Sequence, residues 1–116
     1  MATIAKVLLS DSTSGRGIKV VATATAGTDL HTAVSGGSDI DEIWLWASNI
    51  HTGAVILTLE WGGATSPDDL FKTVIQPNET VLVAPGWLLN GALDVAAFAS
   101  VANVISVTGY VSRISA

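Results

Sequence analysis

Short β-type runs recur along the whole chain, and turn-forming residues separate each run from the next. The runs are rich in Val, Ile, Thr and Trp, whereas the breaks contain Gly, Asp, Asn, Ser and Pro. β-branched and aromatic residues favour strands, and the residues of the breaks favour turns. We predict eight or nine short strands, within residues 3–10, 18–25, 30–34, 41–49, 54–61, 70–75, 80–84, 92–100 and 102–114.

Closely spaced short strands with no long helical stripe between them indicate an all-β protein. Such a pattern is typical of an antiparallel β-sandwich or a small barrel. The 116 residues suffice for one continuous core, and no repeat or low-complexity segment divides them. We therefore predict a single all-β domain spanning residues 1–116, an antiparallel β-sandwich with a jelly-roll-like topology.

Charged residues are scarce in this chain. They make up 13% of it, against about 25% in an average globular protein, while hydrophobic residues make up 49%. So few charges leave wide areas of surface that another protein can cover. We predict a homo-oligomer, or docking onto a larger assembly; the alternative is a neutral surface rich in Ser, Thr and Gly.

The charges and the missing cysteines exclude several classes of function. A net charge of −5 with five scattered basic residues argues against a nucleic-acid partner. Without cysteine there is no disulfide, thiolate metal site or thiol nucleophile. The start lacks the features of a signal peptide. Residues 95–112 are uncharged and long enough to span a membrane, but Ser100, Asn103 and Gly109 interrupt them, so paired strands are favoured over a membrane helix.

Catalytic and metal-binding patterns are missing from the sequence. His31 and His51 are the only imidazoles, each in or next to a predicted loop, and neither has a partner at metal-binding spacing. A serine-hydrolase elbow is also absent. We therefore predict a protein that is not an enzyme, with no catalytic residue, no metal and no cofactor.

The segment LEWGGATSPDDL, residues 59–70, resembles a ligand-binding loop at first sight. A phosphate loop would need a Lys, and Asp68 and Asp69 stand where the anion would lie. The spacing of a calcium loop is missing too. A one-turn corner between two strands is the better interpretation, with Ser66 as its N-cap and Pro67 as its first residue.

Three charged residues are candidate contacts with another subunit. Asp68 and Asp69 fit the first turn of the predicted corner, and they could also face a basic patch on a neighbour. Arg16 lies in the GRG segment, which we predict to be a flexible hairpin loop. Its guanidinium could instead anchor a partner carboxylate.

The run DEIWLWASN is apolar on both faces of a predicted strand. Ile43, Leu45 and Ala47 alternate with Trp44 and Trp46. One face fits the core, so the other must lie under a loop, a second layer or a neighbouring subunit. A packed sheet face is the first interpretation of the two tryptophans; an intersubunit contact and a ligand platform are the alternatives.

The segment APGWLLNG, residues 84–91, is the best candidate for an interaction with another protein. Trp87, Leu88 and Leu89 stand between Pro-Gly and Asn-Gly, where we predict a loop. They either fold back and close one end of the sandwich or project as an apolar anchor. Stacking of Trp87 on a carbohydrate is a third alternative.

The segments DEIWLW and LEWGGATSPDDL, with the last strand VISVTGYVSRI, resemble small virion proteins of tailed bacteriophages. The resemblance implies a β-sandwich that acts as a capsid decoration, or cement, protein and binds between capsomers. The expected partners are the major capsid protein or other virion proteins, and the expected location is the phage head after synthesis in the host cytoplasm. It carries over no functional residue.

Two other functions remain open at this point. A neck or tail component would be a variant within the same structural class. A carbohydrate-binding β-sandwich module would need exposed planar aromatics beside polar side chains, and only Trp87 with Asn90 approaches that pattern.

Overall fold

A computed structural model describes residues 2–116 and shows strands joined by turns. Within these residues there are nine strands: β1 (Thr3–Val7), β2 (Ile18–Lys19), β3 (Thr28–Thr32), β4 (Ile40–Asn49), β5 (Val55–Trp61), β6 (Leu70–Ile75), β7 (Thr80–Leu89), β8 (Asp94–Ala99) and β9 (Ile105–Ser115). The described part of the chain has no helix that is long and apolar enough to cross a membrane.

The strands form two sheets that pack face to face, which confirms the predicted all-β sandwich. Sheet I has the order β1-β9-β4-β7, and β2 also pairs with β9, beyond the end of β1. Sheet II has the order β3-β8-β5-β6. All pairings are antiparallel. With β1 and β2 taken as one interrupted strand, the two four-stranded orders are those of a jelly roll.

The core lies between the sheets and follows from strand alternation. In β4, Ile43, Leu45 and Ala47 point inward and are fully buried. In β5, Leu57 and Leu59 point to the same core from the opposite sheet. Successive side chains of a strand point to opposite faces, and each fully buried aliphatic side chain stabilises the fold by about 1.5–3 kcal/mol.

The predicted strand at residues 18–25 is wrong beyond its first two residues. β2 ends at Lys19, and the main-chain N–H groups of Val21 and Ala22 donate to Thr28 Oγ1 at 3.0 and 3.1 Å. Since this hydroxyl satisfies both amides, the segment needs no strand partner.

The predicted loop at residues 84–91 is also wrong, because β7 continues to Leu89. Proline and glycine suggested a break, but β7 is an edge strand, where a residue without an N–H is tolerated. Pro85 is exposed there, opposite Trp44, and Gly86 has a φ of +77°. The register shifts twice along this pairing, so the strand bends without ending.

The corner between β5 and β6 joins the two strands as predicted, but it is a hydrogen-bonded turn and not the expected turn of helix. The N–H of Asp69 donates to Thr65 O at 2.9 Å, and Gly62 has a φ of +77°. The cap differs from the prediction: Asp69, rather than Ser66, provides the side-chain bond, since its Oδ2 accepts the N–H of Thr65 at 3.1 Å. A Cβ at Gly63 would lie 2.6 Å from that oxygen, so this glycine permits close approach.

Candidate interaction surface

The outer face of sheet I carries a cluster of three aromatic side chains. Trp44 and Trp46 occupy outward positions of β4, because Ile43, Leu45 and Ala47, which alternate with them, point into the core. Tyr110 lies on β9 directly opposite Trp44. Alternation and register therefore bring these three rings together on one surface.

The three rings of this aromatic cluster are nearly parallel. Their centroids are 6.4 Å apart for Trp44 and Trp46, 6.3 Å for Trp44 and Tyr110, and 6.2 Å for Trp46 and Tyr110. The angles between the ring planes are 21°, 15° and 28°. Separations of this size are within the range of favourable aromatic pairs, so the cluster is an ordered apolar surface.

Polar groups at the edge of the cluster hold the rings in place. Glu42 Oε1 accepts the indole N–H of Trp44 at 2.8 Å. The ammonium of Lys6 lies 4.4 Å from the centroid of the Tyr110 ring and donates to Ser112 Oγ at 3.0 Å. A cation over an aromatic face is attracted to it. One acid and one base thus flank an otherwise apolar area.

Exposed aliphatic side chains extend the cluster across the sheet. Leu82 and Leu88 point outward from β7 opposite Trp46 and Glu42, and Ile4 points outward from β1. Their exposed fractions are 44%, 55% and 69%. We call this set the outer aromatic face: Ile4, Trp44, Trp46, Leu82, Leu88 and Tyr110. A depression of about 340 Å³ lies beside Tyr110 and is also lined by Lys6, Val7 and Leu8.

The predicted contact segment Trp87–Leu89 divides between the inside and the outside of the sandwich. Trp87 is half-buried against the core and meets Trp61 edge-on, with ring centroids 5.4 Å apart. Phe71 also packs against Trp87, with ring centroids 4.9 Å apart. Leu89 also packs against the core, whereas Leu88 is exposed. Trp87 and Leu89 thus pack inward, as one alternative expected, but they do so from an edge strand and not from a loop that closes one end.

The charged candidate contacts lie in connections between strands, whereas the residues of the outer aromatic face lie in strands. Asp68 is exposed in the corner before β6, and Asp69 is half-buried through its bond to Thr65. Arg16 is exposed in a turn, where its main-chain N–H donates to Thr13 O at 2.9 Å. The structure does not bring these three residues together with the tryptophans.

A buried polar network joins the two sheets, and sequence reasoning missed it. His31 lies in β3, within the predicted strand at residues 30–34, but its burial was not predicted: it is only 1% exposed. Its Nδ1 accepts the N–H of Ser10 at 3.0 Å, so Nε2 carries the proton and donates to Asp41 Oδ2 at 2.9 Å. Arg113 donates to both oxygens of Asp41 at 2.7 and 2.9 Å, and Val34 N–H adds a bond of 3.0 Å.

This network braces the sandwich and does not form an accessible His–Asp pair. Both imidazole nitrogens of His31 are occupied, and Asp41 is fully buried. Burial alone would raise the pKa of Asp41, but the hydrogen bonds from Arg113, His31 and Val34 outweigh it and hold this pKa below its usual value. Alternation was the available signal, because it places Asp41 on the inward face with Ile43.

An acidic cleft of about 300 Å³ lies at one end of sheet II. Glu60 is buried there and accepts hydrogen bonds of 2.7 Å from Thr25 Oγ1 and from Gly27 N–H. Asp29 and Asp94 also line it. Burial, with the charges of Asp29 and Asp94, raises the pKa of nearby Asp11. Among residues 2–116, no three His, Asp or Glu side chains are placed to hold a metal ion.

Comparisons with protein-family models, with curated proteins and with solved structures give no match. Function is therefore inferred from the chemistry of the surface and from the fold.

Proposed function

We propose that this chain is a structural protein that docks onto other protein subunits through its outer aromatic face, as a capsid decoration protein of a tailed bacteriophage. One observation carries the proposal: the outward face of sheet I presents Trp44, Trp46 and Tyr110 as an ordered cluster. The solvent side of an antiparallel sheet is normally polar. Tryptophan and tyrosine are, by contrast, enriched in the cores of protein interfaces.

The make-up of the rest of the face also suits a protein partner. Leu82, Leu88 and Ile4 surround the rings, and Lys6 and Glu42 bring charge close to them. A stable interface buries about 800 Å² on each partner, and a strand face of this kind can supply a large share of it. The polar groups of Lys6 and Glu42 would lie at the rim, where they orient the contact.

Fold and segment resemblance give the proposal its biological setting. Jelly rolls occur in viral capsid domains and also in lectins, so the fold is compatible with either class but decides neither. The likeness of the segments to phage virion proteins favours the capsid. The proposed partner is the major capsid protein. Docking would stabilise the shell because binding lowers the free energy of the assembled state alone.

Binding to empty heads tests the proposal. The protein is mixed with shells assembled from the major capsid protein encoded near its own gene, and both cosedimentation and the melting temperature of the shells are measured. We expect saturable binding and a higher melting temperature. Leu82→Ser should weaken binding by about tenfold or more, as removal of an interface anchor does.

The matched control for this experiment is Ile50→Ser. Ile50 is an aliphatic residue with 74% exposure that lies outside the outer aromatic face. We expect it to bind shells like the wild type. No binding of the wild type to heads, or equal effects of the two variants, would contradict the proposal. Binding only to complete virions and not to heads would place the protein in the neck or tail.

A carbohydrate-binding module is the second candidate, and the near-parallel rings favour it. Sugars stack on aromatic faces, and Glu42 beside Trp44 could bond their hydroxyls. Trp87, the first candidate for such stacking, instead packs against Trp61 and Phe71. Quenching of tryptophan fluorescence by an oligosaccharide series, abolished in Trp46→Ala, would support this function over capsid binding.

A further inference from the structure

β6 is a regular sheet edge that nothing in the described chain covers. It pairs with β5 alone and contains neither proline nor a register shift. β3, the other edge strand of sheet II, is covered by the segment at Ser10 and Asp11. Leu30 O accepts the N–H of Asp11, and Thr32 N–H donates to Ser10 Oγ. Edge β7 of sheet I carries Pro85 and two register shifts, which discourage pairing.

The hydrogen bonds around β5 show which groups of β6 point to the open side. Trp61 N–H donates to Asp69 O at 2.8 Å, so these two residues bond across the β5–β6 pair. Ile56 O accepts Ser100 N–H at 2.9 Å and therefore points away from β6. Because antiparallel pairs alternate between bonded and non-bonded positions, the main-chain groups of Lys72 and Val74 face outward.

We propose that two copies of this chain pair antiparallel through β6 and join their four-stranded sheets into one continuous sheet. A two-fold axis at Thr73 places Lys72 of each copy opposite Val74 of the other. Both residues present an outward N–H and C=O, and a bonded antiparallel pair exchanges both. The edge is thus complementary to itself, as an interface between identical copies requires.

The neighbouring positions select this register over the adjacent ones. An axis at Lys72 would place the two lysines directly opposite each other, which destabilises a strand pair. An axis at Val74 would place Lys72 opposite Gln76, whose N–H already donates to Glu79 Oε1 at 3.1 Å. The axis at Thr73 avoids both costs.

Apolar side chains next to the edge supply further burial. Val74 and Ile56 lie opposite each other on the outer face of sheet II and are 55% and 44% exposed. On the inner side, Phe71 is 41% exposed at the same edge. Pairing would bring these side chains against those of the second copy. A contact this small gives a concentration-dependent dimer.

Charge at position 74 tests the register, since the residue opposite it is a lysine. Sedimentation velocity of the whole protein at increasing concentration should show a monomer and a dimer. We expect Val74→Lys to weaken the dimer by about tenfold, because two pairs of like charges would face each other. Val74→Glu should leave the dimer at least as stable, because each glutamate would face a lysine. Any added stability from these charge pairs should be lost at high salt.

The remaining regular edge, β1, provides the matched control. Ile4 is also an exposed aliphatic residue on an edge strand that carries one lysine, Lys6, two positions away. Ile4→Lys should leave the dimer intact, and Leu82→Ser should do so as well, since this dimer is independent of the outer aromatic face. Circular dichroism and melting temperature verify that each variant is folded.

Several outcomes would overturn the proposal. A wild type that stays monomeric at every concentration would do so, as would a dimer that Val74→Lys leaves unchanged. Equal weakening by Val74→Lys and Val74→Glu would contradict the register. Weakening by Ile4→Lys with no effect of Val74→Lys would move the contact to β1.

Discussion

At the scale of single residues, the position of Trp44 depends on Gly86, a glycine that was predicted to lie in a loop. Gly86 has a φ of +77°, which glycine adopts at little cost. A Cβ at this position would lie 2.8 Å from Cζ2 of Trp44 and 3.0 Å from Cε2. Trp44 also donates its indole N–H to Glu42 Oε1. A close backbone contact and a hydrogen bond to a carboxylate therefore both hold the indole, which keeps the aromatic cluster ordered.

Substitution of Gly86 by alanine should have two effects: a loss of stability from the backbone conformation and a displacement of Trp44 in the aromatic cluster. Gly91 is the matched control, since its φ is +69° and an added Cβ would meet only Leu93, at 4.0 Å. Both Gly86→Ala and Gly91→Ala should lose about 1–2 kcal/mol of stability from the left-handed conformation. Only Gly86→Ala should also change the near-ultraviolet circular dichroism of the tryptophans and weaken docking. Identical near-ultraviolet spectra for the two variants would show that Gly86 does not position the ring.

At the scale of elements, the residue pattern predicts strands well and edges poorly. In β4 the alternation of Ile43, Leu45 and Ala47 with the tryptophans was enough to assign the core face. β7 was predicted too short because Pro85 and Gly86 are turn residues in most contexts, and only its position at a sheet edge makes them acceptable. Sheet order arises from long-range pairing, and a single sequence carries little trace of it.

The candidate site shows the same division between local and long-range information. Trp44 and Trp46 were identifiable from their spacing, but Tyr110 comes from β9 and joins them only through strand register. Arg113 is 72 positions from Asp41 and His31 is 10 positions from it, and the three meet because β3, β4 and β9 converge. A buried carboxylate could be inferred from alternation, whereas its partners could not.

Hydrogen exchange along β6 should alternate from one residue to the next. In the monomer, the amides of Phe71 and Thr73 are bonded to β5, whereas those of Lys72 and Val74 face outward. We expect exchange at Lys72 and Val74 to be at least about tenfold faster at low protein concentration, since unbonded amides exchange without local opening. Pairing of two copies should protect these two amides as concentration rises. Uniform protection of all four amides in the dilute protein would contradict the assignment of which amides are bonded to β5 and which face outward.

At the scale of the whole molecule, one carboxylate ties the two sheets together. Asp41 in sheet I accepts bonds from His31 in sheet II and from Arg113 at the far end of the chain. The hydrogen bonds that Arg113 donates to Asp41 also raise the pKa of Arg113. Asp11 behaves in the opposite way, because burial and two neighbouring acids raise its pKa. The folded state therefore favours an ionised Asp41 and disfavours an ionised Asp11.

Replacement of Asp41 by asparagine should make the free energy of unfolding less sensitive to a fall in pH. The pKa of Asp41 is lower in the folded than in the unfolded chain, so its contribution is fully present above about pH 4 and is lost as pH falls through the folded value. At pH 7 we expect Asp41→Asn to lower the free energy of unfolding by about 2–3 kcal/mol, below the usual cost of breaking a buried pair because Arg113 can still reach water. Urea denaturation should show this difference shrinking below about pH 4. The exposed Asp68→Asn should change stability by no more than about 0.5 kcal/mol. A difference between wild type and Asp41→Asn that stays constant down to pH 2 would mean that the charge of Asp41 contributes nothing to the joining of the sheets.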